Sequence, residues 1–152
     1  MCQNKERTNT FLNFDVILAN ARSIEAKIDS IYQYFEEYGV ASVFVCETWM
    51  KSGGNYNRIE EELAMNKNLS LIAYNRPGKK VGGGVGIIFD PTKLRLQENV
   101  FTRRGYEIVS AKGKIVGLNR NIVLHCVYLP PSMTRKKAND ALSIISENML
   151  KM

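Results

Sequence analysis

Three side chains in this sequence combine chemical capability with a position at the end of an apolar segment. Glu47 directly follows the apolar run at residues 40–46. Such a run reads as a strand buried on both faces. A carboxylate at its carboxyl end has to meet a cation, a donor or water, because burying it unpaired is costly. Mg2+ takes one or two carboxylates and completes its shell with phosphate oxygens and water, so Glu47 is a candidate metal ligand; the plainer alternatives are a helix cap or an ion pair with an arginine. Asn20 ends an earlier apolar segment, residues 11–20. If the two strands are neighbours, both residues reach one crevice, where ligands of α/β sheets tend to bind; the alternative is a turn amide bonded to its own backbone. Tyr128 closes the apolar segment 121–128 just before Pro130-Pro131, where a phenol can donate to a phosphate or simply pack at a rim.

Other residues invite chemistry and fit it less well. His125 is the single histidine. Strand alternation puts it on the face opposite Tyr128, which favours a structural histidine over a general base. Gly82-Gly83-Gly84 follows a turn and leads into a strand, and no Gly-Lys-Ser/Thr follows. It is not a P-loop, and tight packing or a bulge is the expectation. Cys2, Cys46 and Cys126 are odd in number and lack the paired spacing of a zinc site. Cys46 and Cys126 lie in apolar runs and read as buried free thiols, which suits a reducing compartment.

The elements that must position these residues follow from periodicity. Residues 11–20 read as a strand. Ser23 is a candidate N-cap, with Glu25 in the first turn favouring the helix dipole. Ile24, Ile28, Ile31, Phe35 and Tyr38 recur at steps of four and three, the stripe of an amphipathic helix, and Gly39 closes it. With 40–46 this makes a βαβ unit, whose crossover is right-handed. Residues 51–57 read as a loop, 59–66 as a short helix, 69–74 as a strand and 76–80 as a turn. Residues 85–89 form a strand stopped by Asp90-Pro91. A hairpin is expected from 107–111 and 114–118 across Lys112-Gly113, then a strand at 121–128. The last element, 133–150, reads as a helix capped by Thr134, with Ala138, Leu142, Ile145 and Met149 as its stripe. A helical start followed by a run of strands indicates mixed α/β layers with an antiparallel-rich sheet.

A chain of 152 residues suits one domain, and 45% hydrophobic with 24% charged residues is ordinary for a soluble globular protein. There is no apolar stretch of about 18 residues. Residues 1–10 are polar, without a signal-peptide core; they are expected to be poorly ordered, and the protein to be nuclear or cytoplasmic, not secreted. The net charge of +6 suits a polyanionic partner. Basic residues concentrate at Arg76-Pro77-Gly78-Lys79-Lys80, Arg103-Arg104 and Arg135-Lys136-Lys137, each of which also fits a simple solvated loop. Arg22, Arg76, Lys79 and Lys80 are the candidate nucleic-acid contacts.

Four segments, in order, resemble one family. They are Ile17-Leu18-Ala19-Asn20-Ala21-Arg22-Ser23, Val43-Phe44-Val45-Cys46-Glu47-Thr48-Trp49, Arg76 with Gly82-Gly83-Gly84-Val85-Gly86-Ile87, and Cys126-Val127-Tyr128-Leu129-Pro130-Pro131. They are similar to motifs of the endonuclease/exonuclease/phosphatase superfamily, and are closest to those of non-LTR retrotransposon endonucleases. The resemblance implies a two-sheet α/β sandwich flanked by helices, with the site in a cleft at the sheet edges. It further implies hydrolysis of DNA phosphodiesters by a water activated by Mg2+ or Mn2+, with Glu47 as metal ligand. Asn20 would orient the phosphate or the metal-bound water, and Tyr128 would bond a phosphate oxygen; Arg76 matches a family position without an assigned role. The family's Gly-Asp-Phe-Asn and Ser-Asp-His motifs do not occur here. The expectation is therefore that residues 11–152 form the amino-terminal part of a truncated domain, inactive alone. Its partners would be DNA and a missing carboxyl-terminal half or a reverse transcriptase domain of the same polyprotein, with no membrane. The rival readings are a non-catalytic nucleic-acid-binding remnant and a phosphatase of the same fold acting on inositol phosphates or phospholipid.

Overall fold

The computed structural model describes residues 14–51, 53–77, 82–98, 106–118 and 120–149. Residues 1–10, the expected strand start at Phe11, and the basic residues Lys79, Lys80, Arg103 and Arg104 lie outside the described residues.

The βαβ opening is as the sequence requires. Strand β1 (Val16–Asn20) pairs in parallel with β2 (Ser42–Cys46), with Asn20 opposite Cys46. Helix α1 (Ile28–Tyr38) connects them and buries Ile31 and Phe35. It ends on Gly39 in the left-handed conformation, whose N–H reaches the Phe35 carbonyl, as expected of a C-terminal glycine. Ser23 does not cap this helix. A 3-10 turn (Glu25–Lys27) begins it, and no side-chain cap is present. The Ser23 and Ile24 N–H groups instead donate to the carbonyls of Glu47 and Thr48, at 2.9 and 3.0 Å. The segment leaving β2 thus satisfies the backbone donors of Ser23 and Ile24 themselves and ties the start of the helix to the end of β2.

Strand β3 (Ser70–Tyr74) follows helix α2 (Tyr56–Lys67), which is longer than the 59–66 expected and buries Ile59 and Leu63. Strand β4 (Val85–Phe89) is buried along its whole length and inserts between β2 and β3, antiparallel to both. The first sheet therefore runs β1-β2-β4-β3.

The second sheet corrects the expected hairpin. Strand β6 (Glu107–Ile115) continues through Lys112-Gly113 and pairs with β5 (Leu94–Glu98) on one side and β7 (Asn121–Tyr128) on the other. Gly113 serves a close approach rather than a turn: a Cβ there would collide with the Arg95 carbonyl oxygen and lie 2.9 Å from Leu96 Cα. The chain reverses instead around Gly117, at φ +84°. Strand β5 escapes a pattern search because only Leu94 of its five residues is buried.

Two apolar layers result. One lies between the first sheet and helices α1 and α2, and contains Ile31, Phe35, Val43, Val45, Ile59, Leu63, Leu71 and Ile88. The other lies between the sheets, around Ile72, Val85, Ile87, Phe89, Val109, Ala111 and Cys126. Helix α3 (Arg135–Met149) starts at Thr134, whose hydroxyl accepts the Lys137 N–H at 3.4 Å. Its buried face is Ala141 and Ile144, while Leu142 is 52% exposed, so the expected stripe is rotated. Both sets satisfy a 3.6-residue repeat, and packing selects between them. Strands β1 and β7 are the outer strands at one side of each sheet. Among the described residues no helix is long and apolar enough to cross a membrane.

Replacing Gly113 by valine should lower the denaturant midpoint and leave a less stable fold, by more than about 1 kcal/mol given the strand contact it would break. An unchanged midpoint in chemical unfolding would contradict this account of β6.

Candidate active site

The segments leaving β1 and β2 depart from ordinary backbone geometry together. Arg22, Ser23, Glu47 and Trp49 all have positive φ, at 45°, 85°, 56° and 56°. Non-glycine residues held there cost roughly 1–3 kcal/mol each and gather at functional sites. The two segments are zipped by backbone bonds, beginning with Ala21 N–H to the Cys46 carbonyl at 2.9 Å. Asn20 and Glu47 are thereby brought to adjoining strand ends. Asn20 is exposed, and among the described residues no side-chain hydrogen bond engages it.

The triglycine run completes the surroundings of Glu47. Gly82, Gly83 and Gly84 have φ of 100°, 76° and 88°, a conformation that favours glycine. Trp49 N–H donates to the Gly83 carbonyl at 2.9 Å and Thr48 N–H to the Gly84 carbonyl at 3.3 Å. In return Gly83 N–H donates to Glu47 Oε2 at 3.0 Å, and Trp49 Nε1 donates to the same oxygen at 2.7 Å. Side chains are excluded here as well: a Cβ on Gly83 would collide with the Arg76 guanidinium, and one on Gly84 with Thr48 Oγ1. The tight packing expected of this run is present at Gly83 and Gly84, and their N–H groups donate to Glu47 and Glu107.

Tyr128 reaches the site from the second sheet and hydrogen-bonds Glu47. Burial by itself would raise the Glu47 carboxyl pKa. The bonds from Tyr128, Gly83 N–H and Trp49, with the nearby Arg76 charge, outweigh burial and hold it below its usual value. The bond to Glu47, then burial, pushes the Tyr128 phenol up to about 12, so it remains a proton donor at neutral pH.

Glu107 is the residue that sequence reading missed. It is 8% exposed and lies opposite Tyr128 in the β6–β7 register. Its Oε1 accepts Arg76 Nε at 2.5 Å within an ion pair, and its Oε2 accepts Gly84 N–H at 2.8 Å. A charged residue opening the apolar run Ile108-Val109 was the available signal. Arg76, a candidate nucleic-acid contact, is thus pinned to Glu107 with its side chain 33% exposed. Arg22 is exposed beside Asn20. His125 stands apart from Glu47: it lies on the other face of β7, with Nδ1 2.7 Å from Ser110 Oγ, and burial lowers its pKa.

Among the described residues no cluster of three or more His, Cys, Asp or Glu side chains forms a metal cage. The donor set suits an ion held by one carboxylate and completed by phosphate and water, the manner of Mg2+.

No protein-family model matches the chain, and no curated protein matches it. Solved structures do. The endonuclease domain of TRAS1, a telomere-specific non-LTR retrotransposon, superposes with a TM-score of 0.63 at 12% identity, over 90% of this chain and 55% of that one. The AP endonuclease LMAP from Leishmania major superposes with a TM-score of 0.58 at 10% identity, over 84% of this chain and 43% of that one. The two-sheet α/β sandwich is therefore the fold of these endonucleases, and the chain spans about half the length of each.

Because the folded pKa of Glu47 is depressed, its contribution to stability is present above the unfolded carboxyl pKa and is lost as pH falls through the folded one. Tyr128 is the opposite case: its contribution is present below 10.0 and is lost as pH rises through about 12. Replacing Tyr128 by phenylalanine should shift the Glu47 carboxyl titration, followed by carbon NMR, to higher pH. A titration curve identical to the parent's would show that this bond does not set the charge of Glu47.

Proposed function

We propose that this chain forms the metal-binding wall of a phosphodiesterase cleft that acts on DNA, and that it needs residues beyond its own for the complete reaction. The observation that carries this reading is the Glu47 carboxylate, fixed at a strand end by three donors and kept ionised. A site built only for stability would not combine strained backbone, a tethered charge and an exposed amide at one sheet edge.

In this reading Glu47 ligates Mg2+ or Mn2+, which when bound supplies a Lewis acid and an activated water. Tyr128, protonated at neutral pH, donates to a phosphate oxygen. Asn20 orients the phosphate or the water. Arg76 acts through Glu107 and Gly83 to hold the loop in place. Arg22 and the basic residues Lys79 and Lys80 contact the DNA backbone, in keeping with a net charge of +6. The likeness to two endonuclease folds supports the reaction class.

The chain has no Gly-Asp-Phe-Asn or Ser-Asp-His sequence, and its one histidine faces away from Glu47. Acid–base assistance of about 10²–10⁴-fold is therefore unsupplied, and the chain alone is proposed to be inactive. A binding module without catalysis is the second reading, favoured by the basic charge and by the engagement of the second carboxylate, Glu107, with Arg76 and Gly84.

With the folded chain and supercoiled plasmid in Mg2+, no Glu47-dependent nicking is expected. DNA binding should weaken with salt, strengthen with Mg2+, and lose that strengthening with EDTA or Glu47→Gln. Nicking abolished by both controls would overturn the claim of incompleteness. Binding indifferent to metal and to Glu47→Gln would overturn the metal role and leave the second reading.

A further inference from the structure

Cys46 and Cys126 are free, buried cysteines that come from different sheets and meet in the layer between them. Cys46 ends β2 and Cys126 lies in β7, both in the inter-sheet core. Cys46 Sγ lies 4.0 Å from the Val127 carbonyl oxygen, and Cys126 Sγ lies 3.8 Å from that of Val45. Each sulphur thus rests against the backbone of the residue adjoining the other cysteine, each thiol facing that residue's carbonyl oxygen. This reciprocal placement is more than two unrelated core thiols would show, since buried cysteines ordinarily pack as small apolar groups.

We propose that Cys46 and Cys126 form an oxidative modification site, closing a reversible disulfide that ties the two sheets together beside the candidate active site. With hydrogen peroxide as oxidant, Cys46 reacts first, being 8% exposed where Cys126 is 1% exposed. The Cys46 sulphur attacks peroxide: an S–O bond forms, the O–O bond breaks, and the leaving hydroxide takes the thiol proton as water. Cys46 is then a sulfenic acid. The Cys126 sulphur displaces its hydroxyl, the S–S bond forms, and the Cys126 proton leaves with the hydroxyl as a second water. Peroxide is reduced to two waters and two thiols are oxidised to one disulfide.

The location gives the bond a consequence. Cys46 immediately precedes Glu47, and Cys126 lies two residues before Tyr128 on the same face of β7. A disulfide staples the two strands whose ends deliver the Glu47–Tyr128 hydrogen bond. The inference does not depend on the proposed activity.

The test uses the chain with Cys2→Ser, which retains only these two thiols. After peroxide treatment of the folded protein, thiols are counted under denaturing, non-reducing conditions and the digest is examined by mass spectrometry. Two thiols should fall to none, with loss of the mass of two hydrogen atoms. The chain should stay monomeric, peptides bearing Cys46 and Cys126 should be linked, and dithiothreitol should restore both thiols. The thermal midpoint of the oxidised form should also shift upward. Retention of either thiol, a sulfinic acid at Cys46, or linkage between two chains would overturn the proposal.

Discussion

A carboxylate placed at the end of a buried strand must be given donors, and much of this molecule's layout follows from that demand on Glu47. The first donors come from its own neighbourhood: the indole of Trp49 two residues on, and the N–H of Gly83. For the Gly83 amide to point at a carboxylate, three successive residues take up left-handed conformations, and no side chain fits at two of them. The cost is backbone entropy in the unfolded chain, accepted where the fold needs a donor rather than a side chain.

That loop is in turn anchored by a second carboxylate. Glu107 binds the Gly84 amide through one oxygen and Arg76 through the other, and Arg76 packs where a Gly83 side chain would be. Glu47 and Glu107 are therefore linked through Gly83, Gly84 and Arg76, one carboxylate facing the strand ends and the other buried. Because Tyr128 sits across from Glu107 and also bonds Glu47, the network joins the two sheets. Partly satisfied networks of this kind are destabilising, whereas complete ones fix a unique arrangement. Thr48 Oγ1, buried beside Gly84 without a partner, is the exception within it.

The elements legible in the sequence were those whose burial is uniform or strictly periodic: α1 with its terminal Gly39, β2, and β4. The strand ends at Asn20, Glu47 and Tyr128 were legible too, because a polar residue terminates an apolar run in each. What escaped depended on contacts between distant segments. Strand β5 shows little burial of its own and is defined by its pairing with β6. Gly113 looked like a turn because glycine's need for space there comes from Arg95, eighteen residues away by number. The same reason hid Glu107, whose partners Arg76 and Gly84 belong to other elements. Ser23 resembles a cap, but its φ of 85° and its backbone bond to the Glu47 carbonyl make it part of the segment tied to β2, and a 3-10 turn starts the helix without a side-chain cap.

We propose that this network presents Glu47 as a metal-binding carboxylate at the β1–β2 strand ends. Titrating Mn2+ into the isotopically labelled chain and following paramagnetic broadening of amide signals tests it most directly. Broadening should concentrate at Asn20, Glu47 and Gly83, and should disappear with Glu47→Gln. Broadening centred instead on the surface carboxylates Glu25, Asp29 and Glu62, or unchanged by that substitution, would contradict the claim.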